Sequence, residues 1–133
     1  MLGKMYVIFL AGVASAALVS PAAASCNSRP GTPDNVTAQS NFPQTVQIEW
    51  TNRASETVWW DYDVRDNGVP MSVGRPGGNP PVAKEGTFGR RFTNNFRIES
   101  RHTLCARLKA RDDSGTQGCV SEIWSNFACA QAR

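Results

Sequence analysis

Apolar and polar residues alternate with a period of two through much of this chain. In Thr45–Trp50, Val46, Ile48 and Trp50 fall on one side and Gln47 and Glu49 on the other. Val58–Arg65 repeats the pattern, with Val58, Trp60, Tyr62 and Val64 set against Trp59, Asp61, Asp63 and Arg65. The cleanest run is Thr103–Arg111, where Leu104, Ala106, Leu108 and Ala110 alternate with Cys105, Arg107, Lys109 and Arg111. Successive side chains of a β-strand point to opposite faces, so this period predicts half-buried strands. Shorter runs predict a first strand around Val36 and Ala38, and one within Thr87–Ile98 that buries Phe92, Phe96 and Ile98. A last strand is predicted over about Trp124–Ala130. No window has a convincing 3.6-residue period, and there is no internal repeat.

Turn chemistry separates these runs. Phe42-Pro43-Gln44 is a turn, and Asn67-Gly68 suits the two positive-φ positions of a type I′ hairpin. A short partner strand through Met71 and Val73 should follow. Gly74–Gly86 (GRPGGNPPVAKEG) is too rich in glycine and proline for regular structure. Glu99–His102 reads as a turn and Asp112–Gly118 as a loop. Seven short strands divided in this way predict an all-β fold, a two-sheet antiparallel sandwich. Trp50, Trp60, Tyr62 and Trp124 are expected in its core, whereas Trp59 and Phe127 fall on the opposite phase.

The first 25 residues follow another plan. Lys4 is their only charge, Met5–Val19 is uncharged and apolar, and Ala22-Ala23-Ala24-Ser25 offers small residues for cleavage. This is the layout of a bacterial-type export signal. Pro21 interrupts the run before the ~20 apolar residues of a membrane span are reached. The expectation is therefore a signal peptide over 1–25, an extended leader over 26–32 and one domain over 33–133. Without Lys4 the formal charge falls from +3 to +2, and basic and acidic residues are interleaved. That gives no footprint for nucleic acid.

All four cysteines, Cys26, Cys105, Cys119 and Cys129, follow the signal. An even number in a small exported chain implies two disulfides, with three connectivities open. Zinc is a poor alternative, because no pair has C-x₂₋₄-C spacing and His102 is the sole histidine. Cys26 also stands where a lipoprotein carries its lipid. A lipoprotein signal has leucine where this chain has Ala23, and lipidation would leave three thiols, so a lipid anchor is disfavoured.

Candidate chemistry is sparse. A nucleophilic triad needs a histidine base, and His102 lies in a polar turn. Asp61-x-Asp63-x-Arg65 fails the oxygen-ligand pattern of a calcium loop at its fifth position. No glutamate stands out as half of a glycosidase pair, and there is no phosphate-binding glycine loop. Asn35-Val36-Thr37 is a glycosylation sequon, incidental behind a bacterial-type signal. No cofactor is expected.

From Pro33 to the C-terminus the chain resembles a fibronectin type III domain. The landmarks are Val46-x-Ile48-x-Trp50, Tyr62-x-Val64, Ile98, Leu104-x-Ala106-x-Leu108-x-Ala110, Gly118 and Ser121. The resemblance implies that Trp50 packs on Tyr62 and that the third, sixth and last strands are neighbours. It also implies Cys26–Cys119 and Cys105–Cys129 pairing, with Arg111 opposite Ile123 in the last hairpin. Leu104 stands where the family usually has a tyrosine. Ser121-Glu122-Ile123-Trp124-Ser125 looks like the Trp-Ser-x-Trp-Ser stretch of cytokine-receptor modules, one residue too long and without its first tryptophan.

On this topology Asp61, Asp63 and Arg65 face Arg107, Lys109 and Arg111 across one exposed sheet face. By itself that is a solvated charge ladder. Flanked by Trp59 and Phe127 it becomes a candidate binding strip, with Trp59, Phe127, Arg107 and Lys109 as its contact residues. The functional expectation is a secreted, periplasmic or extracellular, non-catalytic module for a protein or cell-envelope glycan. The alternative, a small secreted hydrolase of unrecognised type, would gather polar groups in a concave pocket.

Overall fold

A computed structural model describes residues 28–72, 82–112 and 119–133. The signal segment, Cys26, Val73 and most of the two predicted loops lie outside the described residues. Those described form eight strands: β1 (Asp34–Phe42), β2 (Thr45–Thr51), β3 (Trp59–Asp66), β4 (Val69–Met71), β5 (Arg91–Arg97), β6 (Thr103–Asp112), β7 (Cys119–Val120) and β8 (Ala128–Gln131). They make two antiparallel sheets, β1-β2-β5 and β4-β3-β6, with β7 and β8 both pairing with β6. The all-β sandwich expected from the period of two is the observed fold.

The alternating runs become inner faces. Val46, Ile48 and Trp50 from one sheet meet Trp60, Val64, Leu104, Ala106 and Leu108 from the other. Trp50 sits edge-to-face on both Trp60 and Tyr62, with ring centroids 5.3 and 5.9 Å apart. Phe96 and Ile98 are buried as expected, and Phe92 packs against the core while staying partly exposed. Leu104 is fully buried. At the hairpin, Asn67 and Gly68 take φ of 48° and 86°, as a type I′ turn demands.

Three expectations need correction. The first strand is nine residues long and not a short run around Val36 and Ala38. The glycine- and proline-rich stretch ends in contact with the core, because Ala83 is fully buried and forms an isolated bridge with Val58. The last strand, predicted over about Trp124–Ala130, is confined to Ala128–Gln131, a separate two-residue strand precedes it, and Arg111 pairs with Val120 and not Ile123.

The physical reason for the third lies in Ser121 and Ser125. Ser121 N–H donates to the Ala110 carbonyl and Ser125 N–H to that of Leu108. The return bonds run to side chains: Ala110 N–H donates to Ser121 Oγ and Leu108 N–H to Ser125 Oγ, both at 2.9 Å. Four steps along the chain from Ser121 to Ser125 thus match two on β6, from Ala110 to Leu108, and Glu122 and Ile123 loop out exposed. A further residue is absorbed before Ala128 meets Ala106.

Cys105 and Cys129 are bonded across β6 and β8 with Cα atoms 4.0 Å apart, in register. Cys119 is also disulfide-bonded, and its expected partner Cys26 lies outside the described residues. The leader runs beside the β7 end: Arg29 Nη1 donates to the Val120 carbonyl and Thr32 Oγ1 to that of Ile123, at 3.2 and 3.1 Å.

Candidate functional site

The outer face of the five-stranded sheet collects the residues that alternation turned away from the core. Register sets them in rows, with Arg65 opposite Cys105, Asp63 opposite Arg107, Asp61 opposite Lys109 and Trp59 opposite Arg111. The expected acidic and basic rows therefore lie side by side. Arg107 Nε bonds Asp63 at 2.8 Å and Arg65 Nη2 bonds the same carboxylate at 3.3 Å. Asp61 reaches diagonally past Lys109 to Arg111 at 2.7 Å.

Aromatic rings interleave with these cations. Arg65 lies 5.3 Å from the Phe127 ring centroid, and Arg107 lies 4.6 Å from the same ring. Arg107 is also 4.8 Å from Trp124, and Lys109 Nζ is 4.9 Å from Trp124. The order Arg65–Phe127–Arg107–Trp124–Lys109 is a continuous stack in which each inner group is held on both sides. A cation over an aromatic face gains roughly 0.5–1 kcal/mol at exposed sites.

Of the residues picked from sequence, Phe127, Arg107 and Lys109 meet in this stack. Trp59 stands at the far end of the same face, half-buried beside Arg111. Trp124 corrects the sequence reading, which placed it in the core. Counting back from Cys129 by alternation puts Trp124 inward. The extra residue between Ser125 and Ala128 reverses the phase and turns the ring onto Arg107 and Lys109. The signal that would have found it was the Ser121–Ser125 stretch itself, whose two serines do the pairing while its tryptophan stacks.

Electrostatics tie the stack to the ladder. Partial burial alone pushes the Asp63 carboxyl up, but hydrogen bonds and charge from Arg65 and Arg107 outweigh it and hold Asp63 below the ordinary carboxylate value. A carboxyl lowered by folding stabilises the fold above its unfolded value near 3.8, and that contribution is lost as pH falls through the lower folded value. Asp63→Asn should therefore melt lower than the parent at pH 7, and should show a shallower loss of melting temperature below about pH 4. Parallel melting-temperature curves for the two proteins from pH 7 down to pH 2 would remove Asp63 from the set of stabilising groups.

His102 differs from the bland turn histidine expected. Its Nδ1 lies 2.7 Å from Asp66 Oδ1 and its Nε2 3.1 Å from Glu99 Oε2. With both nitrogens facing carboxylates, neither is placed to take a proton from serine or cysteine. Asp61 and Asp63 face arginines, and among the described residues no cluster of three His, Cys, Asp or Glu side chains could hold a metal ion. No described helix is long and apolar enough to cross a membrane.

No family model matches the chain, and no curated protein matches it. Among solved structures the chain is similar to one named "Myokine structure", at 14% identity and a TM-score of 0.48, over 77% of this chain and 97% of that one.

Proposed function

We propose that this chain is an exported fibronectin type III-like module. In this reading it binds a protein or cell-envelope glycan through the outer face of β3, β6 and β8. The alternating stack from Arg65 to Lys109 carries the proposal. It fixes two large aromatic rings and three cations in one row on a solvent-facing sheet, and rigid aromatic and arginine groups are the side chains that dominate binding surfaces. The family assignment is supported by the edge-to-face contact of Trp50 with Tyr62 and by the neighbouring third, sixth and last strands. Export is supported by the signal-like first 25 residues and by a disulfide, which persists in oxidising compartments.

The test is capture of a partner from culture supernatant and cell envelope by the immobilised, oxidised domain. Replacing Trp59 and Phe127 together with alanine should abolish capture. The cost in stability should stay near 1–2 kcal/mol, because Phe127 gives up exposed cation–π contacts and Trp59 is only half-buried. Thr93→Ala, on the exposed side of β5 in the other sheet, should capture normally. A partner held equally by the parent and the double variant would rule the strip out as the binding surface.

A further inference from the structure

We propose that the Cys105–Cys129 bond is a thiol-exchange site, opened from solvent by a small anionic thiol that Arg65 guides to it. The strand phase places it. Cys105 shares its face with Arg107 and Lys109, so the bond lies on the outside of the sheet, away from buried Leu104 and Ala106. Cys129 is exposed and Cys105 partly so. The pairs Leu104–Ala130 and Ala106–Ala128 already hold the two strands on either side. The bond therefore joins neighbours within one sheet and does not tie the two sheets together.

The surroundings suit an incoming anion. A cavity of about 310 Å³ opens to solvent above the bond, lined by Arg65, Gly68, Cys105, Phe127 and Cys129. At Gly68 even an added Cβ would meet nothing within 4 Å, so that wall is low. Arg65 is the register partner of Cys105. Arg65 holds both Asp63 oxygens, through Nε and Nη2, at 3.3 Å each, longer than the 2.8 Å bond from Arg107 to the same carboxylate. The other carboxylate nearby in sequence, Asp66, is turned to His102 at 2.7 Å. The Arg65 guanidinium is thus the charge an approaching thiolate meets.

The chemistry balances as an ordinary exchange. A thiolate attacks Sγ of Cys129, the more exposed of the pair. A new S–S bond forms to Cys129 as the Cys105–Cys129 bond breaks, and Cys105 leaves as a thiolate beside Arg65. A second thiolate attacks the small-molecule sulfur of the mixed disulfide, forming the small-molecule disulfide and releasing Cys129 as a thiolate. Two small thiols are oxidised to their disulfide, and the protein disulfide is reduced to two thiols. Once opened, β8 loses its covalent tie two residues beyond Phe127, and only the ladder pairs with β6 hold that end of the aromatic stack.

The experiment treats the oxidised protein in native buffer with glutathione or with cysteamine at equal thiolate concentration, quenches by alkylation and reads each cysteine by mass. The Cys105–Cys129 bond should open in native buffer, and glutathione should outpace cysteamine several-fold. High salt should shrink that preference, since the guiding charge is exposed. Arg65→Gln should abolish it and Arg65→Lys should keep it. Opening only in denaturant, or a parent protein indifferent to thiol charge, would overturn the proposal. The parent reading stands without either variant.

Discussion

Replacing Trp50 with alanine should lower the unfolding free energy by about 3–5 kcal/mol, the usual cost of emptying a buried tryptophan site. Trp50 is fully buried and touches Trp60 and Tyr62 edge-to-face, so it bridges the two sheets. A domain of this size has roughly 5–15 kcal/mol in all, and each kcal/mol shifts its melting temperature by about 4–8 °C. Thermal unfolding of the oxidised variant should therefore occur at least ~12 °C below the parent. Trp50→Phe is the informative companion. The indole Nε1 of Trp50 is buried without a hydrogen-bond partner, and phenylalanine removes that polar group while keeping most of the ring. Its loss should be clearly smaller than that of alanine. Equal losses would mean that a phenyl ring recovers none of the packing and that the site demands the whole indole.

The double change Ser121→Ala and Ser125→Ala should cost about 2–5 kcal/mol, although it removes only two hydroxyl oxygens. Each oxygen accepts a buried backbone N–H of β6, from Ala110 and from Leu108. Alanine leaves both donors dry and unpaired, and a buried unsatisfied donor costs about 1–3 kcal/mol. Threonine at the two positions retains the acceptor and should recover much of the loss. Hydrogen exchange supplies a local reading: amides of Leu108 and Ala110 should lose protection in the double variant while those of β2 keep theirs. A variant within about 0.5 kcal/mol of the parent would mean that water satisfies both donors.

Where a strand is paired along its whole length, its sequence declared it. Thr45–Trp50 and Thr103–Arg111 alternate without error because one face of each meets a continuous core, and a slip of one residue would expose Trp50 or Leu108. The same alternation put Asp61, Asp63, Arg107 and Lys109 on one outer face, with Phe127 beside them. It failed between Ser121 and Phe127, because period counting assumes that ladder bonds come from backbone alone. There the serine side chains substitute for backbone acceptors, three residues are absorbed, and Trp124 changes sides. The pairing of His102 with Asp66 and Glu99 was invisible for another reason. The aspartate lies 36 residues away in sequence, and only the hairpin geometry brings it to the ring.

The bonds that fasten the leader and the start of β1 have a kinetic consequence. Arg29 to Val120, Thr32 to Ile123, Ser121 to Gly31 and Asn126 to Val36 each join residues 90 or 91 positions apart. Contacts of that span form only after the entropy of closing a long loop has been overcome, and domains dominated by them fold in milliseconds to seconds. The seam between β1 and the segment before β8 is therefore a late event. Until it closes, the edge of β1 stands open to pairing with other chains. Synthesis from the N-terminus cannot shorten that interval, because Asn126, which reaches the first strand at Val36, is made 90 residues after it.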